Sequence, residues 1–114
     1  MWTWLANWFE AVQEWFSPRR KVLIREGDTL PSAMPKRDLI LLQDDGENWS
    51  VGFRCPCGCG DVIELLILPN VKPRWDIKID HRGRPTLSPS VWRETGCRSH
   101  FWVRDGKVIW VSDT

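Results

Sequence analysis

Residues 55–60 read Cys-Pro-Cys-Gly-Cys-Gly, and no other stretch limits the fold as strongly. Cysteines at alternate positions converge only where the backbone folds back on itself. Pro56 stiffens such a turn, and Gly58 and Gly60 allow the positive φ that a tight bend demands. Cys97 is the only other cysteine in the chain. The N-terminus has no basic segment ahead of an apolar run and no small-residue cleavage site. No run reaches the length of a membrane span. A reducing cytoplasm is therefore the expected compartment. There, four cysteines read as metal ligands or catalytic groups before they read as disulfides. A disulfide between Cys-x-Cys neighbours would also close a strained ring. Zinc favours thiolates in a tetrahedron, so the expectation is one Zn2+ on Cys55, Cys57, Cys59 and Cys97. The spacing differs from the ordinary ribbon pattern, which leaves open that one knuckle cysteine is not a ligand. His100 is the alternative fourth ligand.

A chain of 114 residues suits one small domain, where a metal staple adds useful stability. The net charge of +1 gives no global pointer to nucleic acid. The second half is locally basic, but Asp76, Asp80, Glu94 and Asp105 are interspersed, as on a mixed solvated face. Nine Trp against four Phe and no Tyr is unusual usage. Trp carries a large apolar area with one donor and suits cores and contact surfaces.

Much of that Trp lies in residues 2–16, WTWLANWFEAVQEWF. Leu5, Trp8, Phe9, Val12, Trp15 and Phe16 recur at helical spacing, which predicts an amphipathic helix ended by Ser17-Pro18. It would pack on the domain, dock a partner, or lie on a membrane surface beside Arg19, Arg20 and Lys21. Glu10 and Glu14 on the polar face count against the membrane.

After the helix the period changes to that of strands. Residues 21–25, 39–43 and 49–53 read as strands, the last two joined by the five-residue loop DDGEN. Residues 61–68, DVIELLIL, are nearly continuous in apolar residues, as expected of a central strand covered on both faces. Residues 75–79 alternate, with Trp75, Ile77 and Ile79 inward. Residues 86–92 are extended but broken by proline. Residues 99–104 and 107–111 flank Asp105-Gly106, the strongest hairpin signal in the chain. The expected fold is mainly β (α+β): a helix at 1–17, then a zinc-binding domain of about six or seven strands at 18–114.

Ser99 and His100 follow Cys97 directly. Neighbours on a strand point to opposite faces, so these two cannot pair; His100 shares a face with Trp102, and Ser99 with Phe101. A serine partner for His100 comes from elsewhere, and Ser88 or Ser90 is suitable. Alternatively His100 ligates zinc, and Glu64 or Asp61 handles the proton of a metal-bound water. Serines near turns mostly bond to backbone, and His81 beside Arg82-Gly83-Arg84 reads as a solvated turn residue.

Three segments taken together, CPCGCGDVIELLIL, PTLSPSVW and GCRSHFWVRDGKVIW, resemble a small bacterial domain family first catalogued without a function. Its members are encoded beside ubiquitin-like proteins and E1-like and E2-like enzymes. The resemblance spans about residues 50–111 and leaves out the Trp-rich helix. It implies a peptidase or isopeptidase acting on a ubiquitin-like protein and its conjugates, with E1-like or E2-like enzymes as further partners. Carried over residue by residue, it marks Cys55, Cys57, Cys59, Ser88, Ser90, Cys97, Ser99 and His100. In the leading expectation zinc is structural, and His100 is the base for a serine, Ser90 or else Ser99. With three ligands plus water the chain would instead be a zinc hydrolase. The competing expectation is a zinc-stapled binding module without catalysis.

Overall fold

The computed structural model describes residues 18–93 and 96–111, and these fold as nine strands in three sheets. The first sheet holds β1 (Val22–Glu26), β2 (Leu39–Asp44), β3 (Glu47–Arg54) and β4 (Val62–Leu66), in that order. β1 runs parallel to β2, and the other pairs are antiparallel. β5 (Asp76–Ile79) pairs with β6 (Pro85–Ser88). β7 (Val91–Trp92), β8 (His100–Arg104) and β9 (Lys107–Trp110) form an antiparallel three-stranded sheet.

Alternation of side chains gives the first sheet two different faces. Leu39, Leu41, Val51, Phe53, Ile63 and Leu65 point one way. They pack with Leu87, Val91, Phe101, Val103 and Val108 into the main core. Phe53 and Phe101 meet edge to face across it, with ring centroids 6.1 Å apart. Ile40 and Leu42 point the other way, into a smaller cluster with Met34, Leu30 and Trp49. The proline-containing loop after β1 supplies Leu30 and Met34. Leu30 lies against Gly52, where any side chain would run into its methyl groups.

The expected α+β class is corrected: the described residues are all-β and contain no helix. The helix expected over 2–16, and with it the unit at 1–17, lies outside the described residues. The strand number is nine rather than six or seven: every extended segment of the sequence forms a strand, and Pro89 splits residues 86–92 into β6 and β7, which pair in different sheets. β4 is an edge strand, not a central one. Val62 and Leu66 are 45% and 38% exposed on its outer side, so its apolar run reflects adherence to one core rather than cover on both faces. The loop between β2 and β3 is the two-residue Asp45-Gly46 turn, because Asp44 and Glu47 already pair in the ladder. In β5 Ile77 is half-buried, but Ile79 is exposed.

Candidate functional site

Two groups of polar side chains meet at one end of the three-stranded sheet. The first is the cysteine cluster. The knuckle leaves the end of β3 and returns to β4, closed by Cys55 N–H donating to the Asp61 carbonyl at 2.8 Å and Gly58 N–H donating to the Cys55 carbonyl at 3.1 Å. Gly58 and Gly60 take φ of +87° and +90°, as the sequence expects of them. Cys97 comes from the loop between β7 and β8, where Gly96 and Arg98 also have positive φ. The four sulfurs lie within 4.8 Å of one another. Cys55 Sγ is 3.3 Å from that of Cys57 and 3.5 Å from that of Cys97. No disulfide joins them.

These separations suit a metal. Zinc–sulfur bonds of ~2.3 Å in a tetrahedron put sulfurs about 3.8 Å apart. Without a metal the thiols share protons unevenly. Burial pushes the Cys55 and Cys57 thiols up. Burial also raises Cys97, but hydrogen bonds from Ser99 and from the neighbouring cysteines outweigh it and hold this thiol at about 6. A bound cation would displace the remaining protons and hold the sulfurs as thiolates. The Arg93 guanidinium reaches the same group, with Nη1 3.4 Å from Cys97 Sγ, 3.6 Å from Cys59 Sγ and 3.1 Å from an Asp61 carboxylate oxygen. It offsets negative charge that four thiolates around a divalent ion would leave. Sequence reasoning missed Arg93; a lone arginine after a strand carries no spacing signal.

The second group is Ser90 with His100. Ser90 Oγ lies 2.9 Å from His100 Nε2. His100 opens β8, and Trp92 of β7 sits opposite it in register. Their rings stack at 5.0 Å between centroids with 10° between planes. Ser90, two residues before Trp92, projects on the same side. The Trp75 indole N–H donates to the Ser90 carbonyl at 3.4 Å, tying this turn to the segment before β5. Ser90, His100 and Trp102 are partly exposed, and Trp92 more so. A hydroxyl within hydrogen-bond reach of an imidazole nitrogen, both open to solvent, can act as nucleophile and base.

The remaining sequence candidates fall elsewhere. Ser99 Oγ lies 3.2 Å from Cys97 Sγ and 4.0 Å from Cys55 Sγ, among the sulfurs and not beside His100. Ser88 ends β6 opposite Asp76, exposed. Glu64 points to the face away from the cysteines and accepts from Ser50 at 2.6 Å. Asp61 is held by Arg93 at 3.1 Å. His81 is exposed in the turn between β5 and β6. His100, the alternative zinc ligand, faces Ser90 rather than the cluster, whose members among the described residues are the four cysteines.

No curated protein and no solved structure matches the chain. A family model does match, over residues 26–111, which takes in β2 to β9, the cysteine cluster and the Ser90–His100 pair. The chain belongs to the family described as the bacterial ubiquitination-like system serine protease, BubE.

Proposed function

We propose that the chain is a serine peptidase that cleaves the peptide or isopeptide bond at the end of a ubiquitin-like protein, with Ser90 as nucleophile and His100 as general base. The observation that carries this reading is the 2.9 Å approach of Ser90 Oγ to His100 Nε2, in a family described as serine proteases. The role of base requires Nε2 to accept from Ser90 Oγ, and so the ring proton to be on Nδ1. Ser90 Oγ attacks the scissile carbonyl while its proton passes to Nε2. The tetrahedral adduct collapses as His100 returns that proton to the departing amine, leaving an acyl-serine. Water, deprotonated by His100, releases the acid and restores Ser90.

The metal in this reading is zinc, held by Cys55, Cys57, Cys59 and Cys97. With all four thiolates as ligands the site would be of the closed, structural kind rather than one that holds a reacting water. Bound there, zinc supplies a crosslink between the knuckle and the loop that leads into β8. Ser99 fits as a donor to the thiolates. A binding module without catalysis is less well supported, since His100 and Ser90 are accessible rather than buried.

The test is cleavage of the system's ubiquitin-like protein carrying a C-terminal extension, at full zinc occupancy. Ser90→Ala and His100→Ala are each expected to lower kcat by about 1,000-fold or more. Ser99→Ala should keep most of the activity once corrected for zinc content. Cleavage undiminished in Ser90→Ala would sink the assignment.

A further inference from the structure

The three-stranded sheet has one face in the core and one in solvent. Phe101, Val103 and Val108 fill the inner face. By alternation, His100, Trp102 and Arg104 of β8 share the outer face. The registers extend it: Trp92 lies opposite His100, Ile109 opposite Trp102, and Lys107 opposite Arg104. The result is an ordered track. The Ser90–His100 pair lies at one end under Trp92, which is 58% exposed. Trp102 and Ile109 follow, the latter 43% exposed. Arg104 and Lys107 close the far end, with the Arg104 guanidinium 4.6 Å from the Trp102 ring centre. At the strand rise the track runs about 13 Å from His100 to Arg104.

Exposed aromatic and β-branched side chains in a continuous row, ended by arginine, have the composition of an interface centre. Its occupant follows from where the track leads. Trp92 stacks on His100 between Ser90 and the rest of the track, so a chain that reaches Ser90 from this side crosses Trp92 and lays whatever is attached to it over the sheet face beyond. We propose that the outer face of β7, β8 and β9 docks the folded body of the ubiquitin-like substrate. The face fits a body whose contact surface is apolar at its centre, over Trp102 and Ile109, with acidic groups toward Arg104 and Lys107. The C-terminal tail runs from that surface over Trp92 to Ser90. This rests on the peptidase reading and adds the substrate's folded part as a determinant of specificity.

Two surface variants test it: Ile109→Asp puts a charge in the apolar track, and Arg104→Glu reverses the far end. Binding is measured first, by calorimetry, between full-length Ser90→Ala protein with zinc bound and the intact ubiquitin-like protein. Each surface variant, added to that background, is expected to weaken Kd by about tenfold or more. Cleavage is measured second, on the intact ubiquitin-like fusion and on a short peptide spanning its scissile bond. The loss in kcat/KM should be at least about tenfold greater on the intact protein, carried by KM. Unchanged Kd in both variants, or equal losses on the two substrates, would overturn the docking face. Absence of cleavage by the unaltered enzyme would instead remove the Ser90–His100 reading, and the binding measurement would still decide the docking face.

Discussion

Trp92 and His100 lie face to face across β7 and β8, and the consequence is chemical as well as geometric. In the proposed mechanism His100 takes the serine proton and becomes a cation over an indole face. Such a contact stabilises the cation by about 1–2 kcal/mol. It also holds the ring with Nε2 aimed at Ser90. Trp92→Ala is therefore expected to lower kcat by about 5- to 30-fold on a short peptide substrate. Trp92→Phe, which keeps an aromatic face, should recover most of the loss. A Phe variant as slow as the Ala variant would show that bulk or edge packing, not the ring face, is what matters. Part of this site is legible in the sequence. Strand alternation separates Ser99 from His100 and puts Trp102 beside His100. The choice between Ser88 and Ser90 is not legible, because Pro89 interrupts the strand and the pairing of each half depends on sheets formed by distant residues. The stack on Trp92 depends likewise on a register between β7 and β8 that residues 93–99 conceal.

At the scale of elements, the Asp105-Gly106 turn does more than reverse the chain. Gly106 N–H donates to the Pro85 carbonyl at 2.8 Å, and its own carbonyl accepts from Arg20 N–H at 2.7 Å. The turn thus joins β6, β8, β9 and the segment ahead of β1. Gly106 has φ +79°, and a Cβ there would collide with the Arg20 backbone oxygen. Gly46, in the other two-residue turn, has φ +80° with open space around it. Both glycine-to-alanine changes bear the cost of a left-handed residue, about 1–2 kcal/mol. Gly106→Ala must also displace Arg20. It is expected to lower the midpoint of thermal unfolding by ~10 °C or more, and Gly46→Ala by about half as much. Equal shifts would mean that the junction at Arg20 contributes nothing. The Asp-Gly hairpin is visible in the sequence because its turn chemistry is local. The position of β4 is not. An apolar run reads alike whether a strand is central or lies at an edge against a deep core, and only the pairing partners distinguish them.

Across the whole molecule, the cysteine cluster is where the four-stranded and three-stranded sheets are tied together. Cys55, Cys57 and Cys59 belong to the connection between β3 and β4, and Cys97 to the connection between β7 and β8. The second connection leads straight into His100, and Arg93 beside it bridges Cys59, Cys97 and Asp61. A metal here would therefore govern the register of β7 on β8, and with it the approach of Ser90 to His100, without touching either residue. Cys97→Ser, or treatment with a strong chelator, is expected to reduce activity severely although the proposed reaction uses none of the four cysteines. Loss of a ligand that supports folding costs several kcal/mol, which for a domain this size lowers the unfolding midpoint by well over ~10 °C. Loosening should not be uniform. Hydrogen exchange is expected to rise first in β7, in β8 and at the start of β4. The pairs of β1 with β2 and β2 with β3 have a second support, the cluster of Ile40, Leu42, Met34, Leu30 and Trp49, which contains no cysteine, and should stay protected. Added Zn2+ should restore activity and protection together in the chelated protein, and not in Cys97→Ser. Full activity with less than about one-tenth of the metal bound would show that packing alone sets the Ser90–His100 geometry. Protection lost evenly over all strands would show that the cluster supports the domain as a whole rather than the junction that carries the site.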